Sequence, residues 1–495
     1  MEKEIISRNR IVSSLMHIGH GDLSIFTDVG IKAAKEEDEL LGHFISWNSK
    51  HGEVRDSKVA FPILALRGRK DQELFENAVA NLCLLSPREL VKAVTYHKNI
   101  SNKNGYGITP MGGRLLKHGV RRYLEFRQNS KPTIERAIVH HKRSLKALYA
   151  MYHVKPTKFV QDVLFDKKKP KGSIFHDIAN LGNMLPAEAA STILAREIPF
   201  LVATQAMGGI KGKKDIILAI LEGMTGNQLI TNTNMLTKWG VFEDPILSVA
   251  YDDALNRAKK SKKTASLKAG KVKATSKKAA KKLESLQDEK LSQLGGIDGD
   301  WLILGDKSGS MDESIEVARE ISALIAKQVK GNVYLVFFDT KPKFFDVSGK
   351  SLKEIEGDTK RVMAIGGTSI GCGLDYILQR GIVVNGIVIV SDGGENNRPF
   401  FCEKYREYSE KLGISPTIYH FYLYGESNRF NDSRWNNSQP LEIETFDMSR
   451  NVDYYSLPAI VKTLRANRYA LVDEIMEVPL LTFNDVFKIE RRVRT

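Results

Sequence analysis

The sequence predicts two architectures in series: an all-α helical-repeat half up to about residue 295, then an α/β domain with a doubly wound sheet. Three observations carry this. Before residue 295, apolar residues recur at helical spacing with almost no two-residue alternation. After it, apolar runs of buried-strand length alternate with helix candidates, the pattern of a mostly parallel sheet. The first of those strands runs directly into Asp306-x-Ser308-x-Ser310, a tight loop bearing one carboxylate and two hydroxyls.

The chain has 495 residues, enough for two or three domains with ample core. In the helical half, Glu37 to Trp47 turns Leu40, Leu41, Phe44 and Ile45 to one side. Asp71 to Leu85 does the same with Leu74, Phe75, Ala78, Val79 and Leu82. Ser86-Pro87-Arg88-Glu89 reads as a capping box with proline at the first helical position. Thr109-Pro110 and Lys131-Pro132 open longer helices, to Gln128 and about Tyr152. Further helices are expected at Ile174–Asn183, Pro186–Arg196, Pro199–Gln205, Asp215–Met224, Asn227–Lys238 and Pro245–Asn256. Short amphipathic helices in series suggest a solenoid, although no crisp repeat recurs.

Strands are expected at Trp301–Gly305, Val333–Phe338, Gly386–Ser391 and Thr417–Leu423. The helices expected among them are Glu313–Lys330, Ser369–Gln379, Phe401–Leu412 and Pro458–Ala466. The implied segments are 1–256 for the helical repeats, 257–295 for a Lys-rich insertion or linker, 296–470 for the α/β domain and 471–495 for a tail. That tail is expected to be a short strand or a docking segment.

Charge is concentrated. Arg257 to Lys282 holds eleven lysines, one arginine and no acid, which leaves only +3 of the total +15 for the rest of the chain. Its composition reads as a disordered or weakly helical loop, and its charge as a non-specific arm for nucleic acid. Cys83, Cys372 and Cys402 form no CxxC pair, which suits a reducing, cytoplasmic setting and argues against a zinc site. No apolar run reaches the ~18 residues of a membrane span, and the charged N-terminus has no leader-like apolar stretch.

Three separated elements fit one metal site. Asp306, Ser308 and Ser310 lie on the first. Gly366-Gly367-Thr368-Ser369 puts a threonine hydroxyl just before a helix, and Val390-Ser391-Asp392-Gly393-Gly394 ends the most apolar strand in a carboxylate. Hard oxygen ligands of low total charge suit Mg²⁺, with Mn²⁺ as the alternative. In an open α/β sheet such loops meet at the carboxyl edge, at the topological switch point. This second half resembles a von Willebrand factor A domain with a metal ion-dependent adhesion site. The resemblance implies ligation by Asp306, Ser308, Ser310, Thr368 and Asp392, with an acidic group of a partner completing the shell.

Enzyme readings fare worse. Gly208-Gly209-Ile210-Lys211-Gly212-Lys213-Lys214 lacks the spacing and the hydroxyl of a phosphate loop, and neither a nucleophile elbow nor a zincin motif occurs. Hydroxyl-rich ligation leaves few charges for a two-metal nuclease.

On Lys131 to Tyr152, Arg136, His140 and Arg143 lie at i, i+4 and i+7, flanked by Lys142 and Lys146. Arg114, Lys117 and Arg121 repeat the idea on the preceding helix. Stacked basic faces can track a phosphate backbone. Local wording adds to this. Ile178 to Met184, Pro199 to Gly212, Leu148 to Pro156 and Tyr405 to Tyr408 match stretches of one family in order and content. Over residues 30 to 450 the chain resembles the Ro autoantigen, or TROVE-module, proteins. That resemblance implies a closed ring of HEAT-like repeats with a positively charged hole, completed by the A-domain. It implies binding of small non-coding Y RNAs on the ring's outer face and of single-stranded 3′ ends of misfolded RNA through the hole, with exoribonucleases as partners of some members. By position, Arg136, His140 and His153 fall at outer-surface RNA contacts, with Lys155 adjacent; His140 stands where arginine is common, which weakens phosphate binding at neutral pH. The Lys-rich insertion and the C-terminal stretch have no counterpart in that family. The expected function is therefore a non-catalytic ribonucleoprotein component in RNA quality control or decay. The alternative is a metal-dependent adaptor acting through the A-domain.

Overall fold

The computed structural model describes residues 2–16, 22–52, 54–67, 71–100, 110–261, 269, 272–292, 297–423, 441–448, 464 and 470–492. Two compact units emerge, and the chain passes between them three times. Asp22–Gln287 with Val478–Thr495 form a helical unit; Met1–Gly21 with Asp288–Glu477 form an α/β unit.

In the helical unit each helix packs on its near neighbours in sequence. Arg55–Ala65 meets Thr27–Glu36, Asp38–His51, Gln72–Cys83 and Pro87–Ile100, and Pro110–Gln128 meets Gln72–Cys83 and Lys131–Tyr152. The expected apolar stripes are the buried ones: Leu40, Leu41, Phe44, Ile45, Phe75, Ala78, Val79 and Leu82 all lie in the core. The capping box forms, with Ser86 N donating to Glu89 Oε2 at 3.0 Å and Glu89 N donating to Ser86 Oγ at 3.4 Å. Two expected helices are broken. Asn227–Lys238 divides into Gly226–Thr231 and Thr233–Lys238, with Asn232 capping the first (Nδ2 to the Gln228 carbonyl, 2.8 Å). Lys131–Tyr152 kinks at His141, whose φ of −138° and ψ of 35° are not helical.

The described part of the Lys-rich stretch is packed rather than a free arm. Lys277–Ser292 is a helix whose Ala279, Leu283 and Leu286, at i, i+4 and i+7, belong to the same core as residues 174–258. Polar ties reinforce the packing: Thr275 N donates to Asn234 Oδ1 at 2.9 Å, and Lys282 pairs with Asp252. Lysine stems lying along apolar surface make this burial compatible with the composition. Residues 262–268 and 270–271 of that stretch lie outside the described residues.

Both chain ends depart from the expected segments. Glu2–Met16 buries Ile11, Val12 and Leu15 in the α/β unit, against the strand Ile443–Asp447 and the helix Ala470–Met476. The C-terminal stretch is the docking segment, not the short strand, of the two expected, and it passes to the helical unit after Glu477. Leu481 N donates to Asn77 Oδ1 at 2.7 Å and Phe483 N to Glu76 Oε1 at 2.9 Å, and then the helix Phe483–Arg492 docks. Phe483 and Phe487 are buried beneath the Arg122 guanidinium, at 5.8 and 4.9 Å, and Phe487 also meets Phe126 at 5.2 Å. Phe483→Ala and Phe487→Ala are each expected to destabilise the helical unit by about 3 kcal/mol, the usual cost of emptying a buried phenylalanine site. Denaturant unfolding followed within this unit checks the magnitude.

The α/β unit is built on a sheet of order β3-β2-β1-β4-β5-β6: β1 Trp301–Asp306, β2 Val333–Phe338, β3 Lys343–Asp346, β4 Gly386–Ser391, β5 Thr417–Tyr422 and β6 Ile443–Asp447. All neighbours are parallel except the edge strand β3, which is antiparallel to β2. Strands buried on both faces explain the continuous apolar runs. Leu302, Leu304, Ile387 and Ile389 face the helices Ile370–Gln379 and Phe401–Leu412. The helix Asp312–Ala326 approaches the opposite face so closely that a Cβ on Gly305 would stand 2.8 Å from Ala318 Cβ. The chain leaves β1 for β2 on one side and β4 for β5 on the other, so the switch point lies between β1 and β4. The expected helix Pro458–Ala466 falls almost wholly outside the described residues.

Candidate metal centre and nucleic-acid interface

Three loops meet at the carboxyl ends of β1 and β4, and each is hydrogen-bonded to the other two. Gly309 N donates to the Gly366 carbonyl at 3.2 Å, and Ile365 N to the Lys307 carbonyl at 2.8 Å. Thr368 N donates to Asn396 Oδ1 at 2.9 Å, while Asn396 N and Asn397 N donate to the Thr368 carbonyl at 3.0 and 2.9 Å. Ser391 Oγ donates to Asp306 Oδ2 at 2.7 Å. Sequence-distant Asp306, Thr368 and Asp392 are thereby carried on one interlocked frame. A side chain at Gly367 would collide with Asn397 Oδ1 at 2.4 Å, so this glycine is what lets loops two and three close.

Asp306 is fully buried. Its Oδ1 accepts from Ser308 N at 2.8 Å. Burial pushes its pKa up to about 6, the Ser391 and Ser308 bonds pull it back, and the charge of Asp392 raises it further. The adjacent Lys307 does not neutralise it, because that ammonium pairs with Asp339. Burial raises the pKa of Asp339, but Lys307 and the Lys341 N–H outweigh it and hold this carboxylate below its usual range. Ser308 and Thr368 are buried, Asp392 is half-buried and Ser310 is exposed. A buried carboxylate with no cationic partner among the described residues, on a frame that also carries a second carboxylate and three hydroxyls, has the donor chemistry that suits a hard divalent cation. Among the described residues no group of three or more His, Cys, Asp or Glu is placed to hold a metal.

Sequence reasoning passed over the supports of this site. In the sequence Ser391 stands out only as the neighbour of Asp392. His420, fully buried on β5, donates from Nε2 to the Ser391 carbonyl at 3.2 Å, since a carbonyl can only accept. Burial drops its pKa to about 4, so the ring is neutral across the physiological range. Glu395 accepts from Gly371 N at 2.9 Å and from Phe401 N at 3.0 Å, joining the first turns of two helices. Burial pushes its pKa up to about 7.

The folded-state pKa of Glu395 lies above the unfolded value near 4.5. Its favourable contribution is therefore complete below pH 4.5 and is lost as pH rises to 7. Glu395→Gln removes that loss. The variant is expected to match the parent at pH 4.5 and to exceed it by up to about 3 kcal/mol at pH 8. Paired denaturation curves at the two pH values check it.

The candidate RNA residues separate into tied and untied groups. Arg136 pairs with Glu197, and Arg121 Nε donates to the Tyr152 carbonyl at 3.2 Å. Lys146 Nζ stands 5.5 Å from the Phe165 ring. Burial, and then the Arg136 charge, hold the His140 pKa below its ordinary value. His153 caps the helix in the left-handed region, at φ 51°. Arg114, Lys117, Lys142, Arg143, His153 and Lys155 are exposed and make no ion pair among the described residues. The kink at His141 interrupts the helix between His140 and Arg143, so the spacing of Arg136, His140 and Arg143 is not that of one uninterrupted helix.

The class defined by this geometry is a helical unit joined to a doubly wound α/β unit that bears a three-loop oxygen site at its switch point. The crystal structure of the Ro (RSR) protein of Deinococcus radiodurans has the same fold: TM-score 0.63, 14% identity, 92% of this chain and 99% of that chain covered. No family model and no curated protein matches the sequence. Among the described residues, no helix is long and apolar enough to cross a membrane.

Proposed function

We propose that this chain is a non-catalytic RNA-binding protein of Ro type, working as a ribonucleoprotein in the cytoplasm. The observation that carries the reading is the shared fold over nearly the whole of both chains, together with exposed cations at Arg114, Lys117, Lys142, Arg143 and Lys155 that make no ion pair among the described residues. Small Y-like RNAs and single-stranded 3′ ends are the RNA classes that the family resemblance brings, held by a ring of HEAT-like repeats, and an exoribonuclease is the partner in decay. The α/β unit acts as a von Willebrand factor A-type module. Asp306, Ser308, Ser310, Thr368 and Asp392 would hold Mg²⁺ there, and the ion would supply a positive charge that attracts a ligand oxygen.

Sequencing of RNA crosslinked to the intact protein tests the reading. Enriched small structured RNAs and free 3′ ends support it; recovery no richer than from a neutral control protein contradicts it. Deleting Arg257–Lys282 is a poor control, because it would remove Ala258, Ala269 and Ala279 from the core. Lys→Gln changes at the exposed Lys277 and Lys281 leave that core intact.

A further inference from the structure

One cation of the helical unit is buried with nothing to pair it. Arg67 lies just past the end of the helix Arg55–Ala65 and is only 7% exposed. Its Nε, Nη1 and Nη2 are all buried, and none has a hydrogen-bond partner. Every N–H of a charged guanidinium is thus left without an acceptor, and an uncompensated buried charge is among the costlier features a core can hold. Burial pulls the Arg67 pKa down, and the Tyr96 phenol acts the other way.

A second orphan stands within reach of that charge. His97, in the last turn of the helix Pro87–Ile100, has a buried Nδ1 that likewise lacks a partner. The two helices pack against each other. Burial, and then the Arg67 charge, hold the His97 pKa below its ordinary value, so the neutral ring dominates at pH 7.

Nearby acids do not answer this charge. Asp22 and Asp28 act on Tyr96, whose hydroxyl meets Thr27 Oγ1 at 2.8 Å, but both are exposed and neither pairs with Arg67. Gly68-Arg69-Lys70, after Arg67, and Ser101 to Thr109, after the second helix, contain no carboxylate. The carboxyl ends of the two helices bring partial negative charge, yet no carbonyl accepts from the guanidinium. Lys98, exposed beside His97, adds to the positive field.

We infer that Arg67 and His97 form a buried binding site for a phosphate ion in the helical unit. The planar fork of Arg67 suits two oxygens of one tetrahedral anion. A neutral imidazole nitrogen either donates to a third oxygen or accepts from the P–OH of a hydrogen phosphate. A phosphate monoester offers the same chemistry, but guanidinium nitrogens closed off from solvent favour the small free ion, admitted by local opening of the helix ends. The site shares no residue with the metal frame or with the candidate RNA residues, so it depends on neither of those readings.

The test is thermal unfolding of the intact protein with increasing inorganic phosphate, ionic strength being held constant with chloride. A saturable rise of about 3 °C is expected at roughly tenfold excess over Kd, above the linear drift that phosphate causes in any protein. Arg67→Met keeps an unbranched apolar stem without the charge. It should melt no lower than the parent in chloride and show the drift alone. His97→Leu, at a half-buried position, should weaken the apparent phosphate affinity roughly fivefold, and it carries the test if Arg67→Met does not fold. Uridine monophosphate at the same concentrations should give no saturable rise. A parent that shows the drift alone, a variant that keeps the parent's saturable response, or a saturable response to uridine monophosphate without one to phosphate overturns the inference.

Discussion

Asp306→Asn is expected to abolish stabilisation of the α/β unit by Mg²⁺ without weakening the unit in EDTA. Two terms set that sign. Without a cation, ionised Asp306 is a fully buried charge whose pKa is pushed up to about 6, so its negative form costs stability at neutral pH. Asparagine keeps an acceptor for Ser391 Oγ or Ser308 N while removing the charge. With the cation, the parent gains RT ln(1 + [Mg²⁺]/Kd), about 2.7 kcal/mol at a hundredfold excess over Kd, and the variant gains none. Melting curves in EDTA and in Mg²⁺ separate the terms. A variant that melts far below the parent in EDTA, or that still responds to Mg²⁺, would place the metal elsewhere.

The second large effect concerns the basic helices. Lys142→Glu and Arg143→Glu are each expected to weaken RNA binding on the order of tenfold, uniformly across RNA sequences, and to reduce the salt slope by about one per residue. These positions are preferred to Arg136 on structural grounds. Arg136 is paired with Glu197, and Arg121 ties its helix to the end of the next, so reversing either mixes binding with folding. Fluorescence anisotropy with two unrelated RNAs, alongside melting temperatures, checks both the size and the uniformity. A loss confined to one RNA would instead indicate base readout at these residues.

Much of the architecture was legible because periodicity and punctuation agreed locally. Val333–Phe338, Gly386–Ser391 and Phe401–Leu412 have the bounds that their apolar runs announced. The three-loop site was legible because its residue types are chemically unusual at strand ends. Elements whose apolar stripe is masked by composition were harder. In Lys277–Ser292 the stripe Ala279, Leu283 and Leu286 was present, but the surrounding lysines dominated the reading. The kink at His141 leaves no glycine or proline signal. The exchange of the chain ends between units depends on contacts such as Leu481 to Asn77, more than four hundred residues apart, which no local pattern encodes. The same holds for Ser391, Glu395 and His420: each is an ordinary core residue until the fold sets it behind the site.

The exposed cations of the helical unit are expected to hold RNA by its phosphates. The most direct measurement is the affinity of the intact protein for a single-stranded RNA as salt rises from about 50 to about 200 mM. If Arg114, Lys117, Lys142, Arg143 and Lys155 each neutralise one phosphate, the log–log slope should be about −3 to −4, a loss of roughly a hundredfold over that range. An affinity that hardly changes with salt would contradict the account.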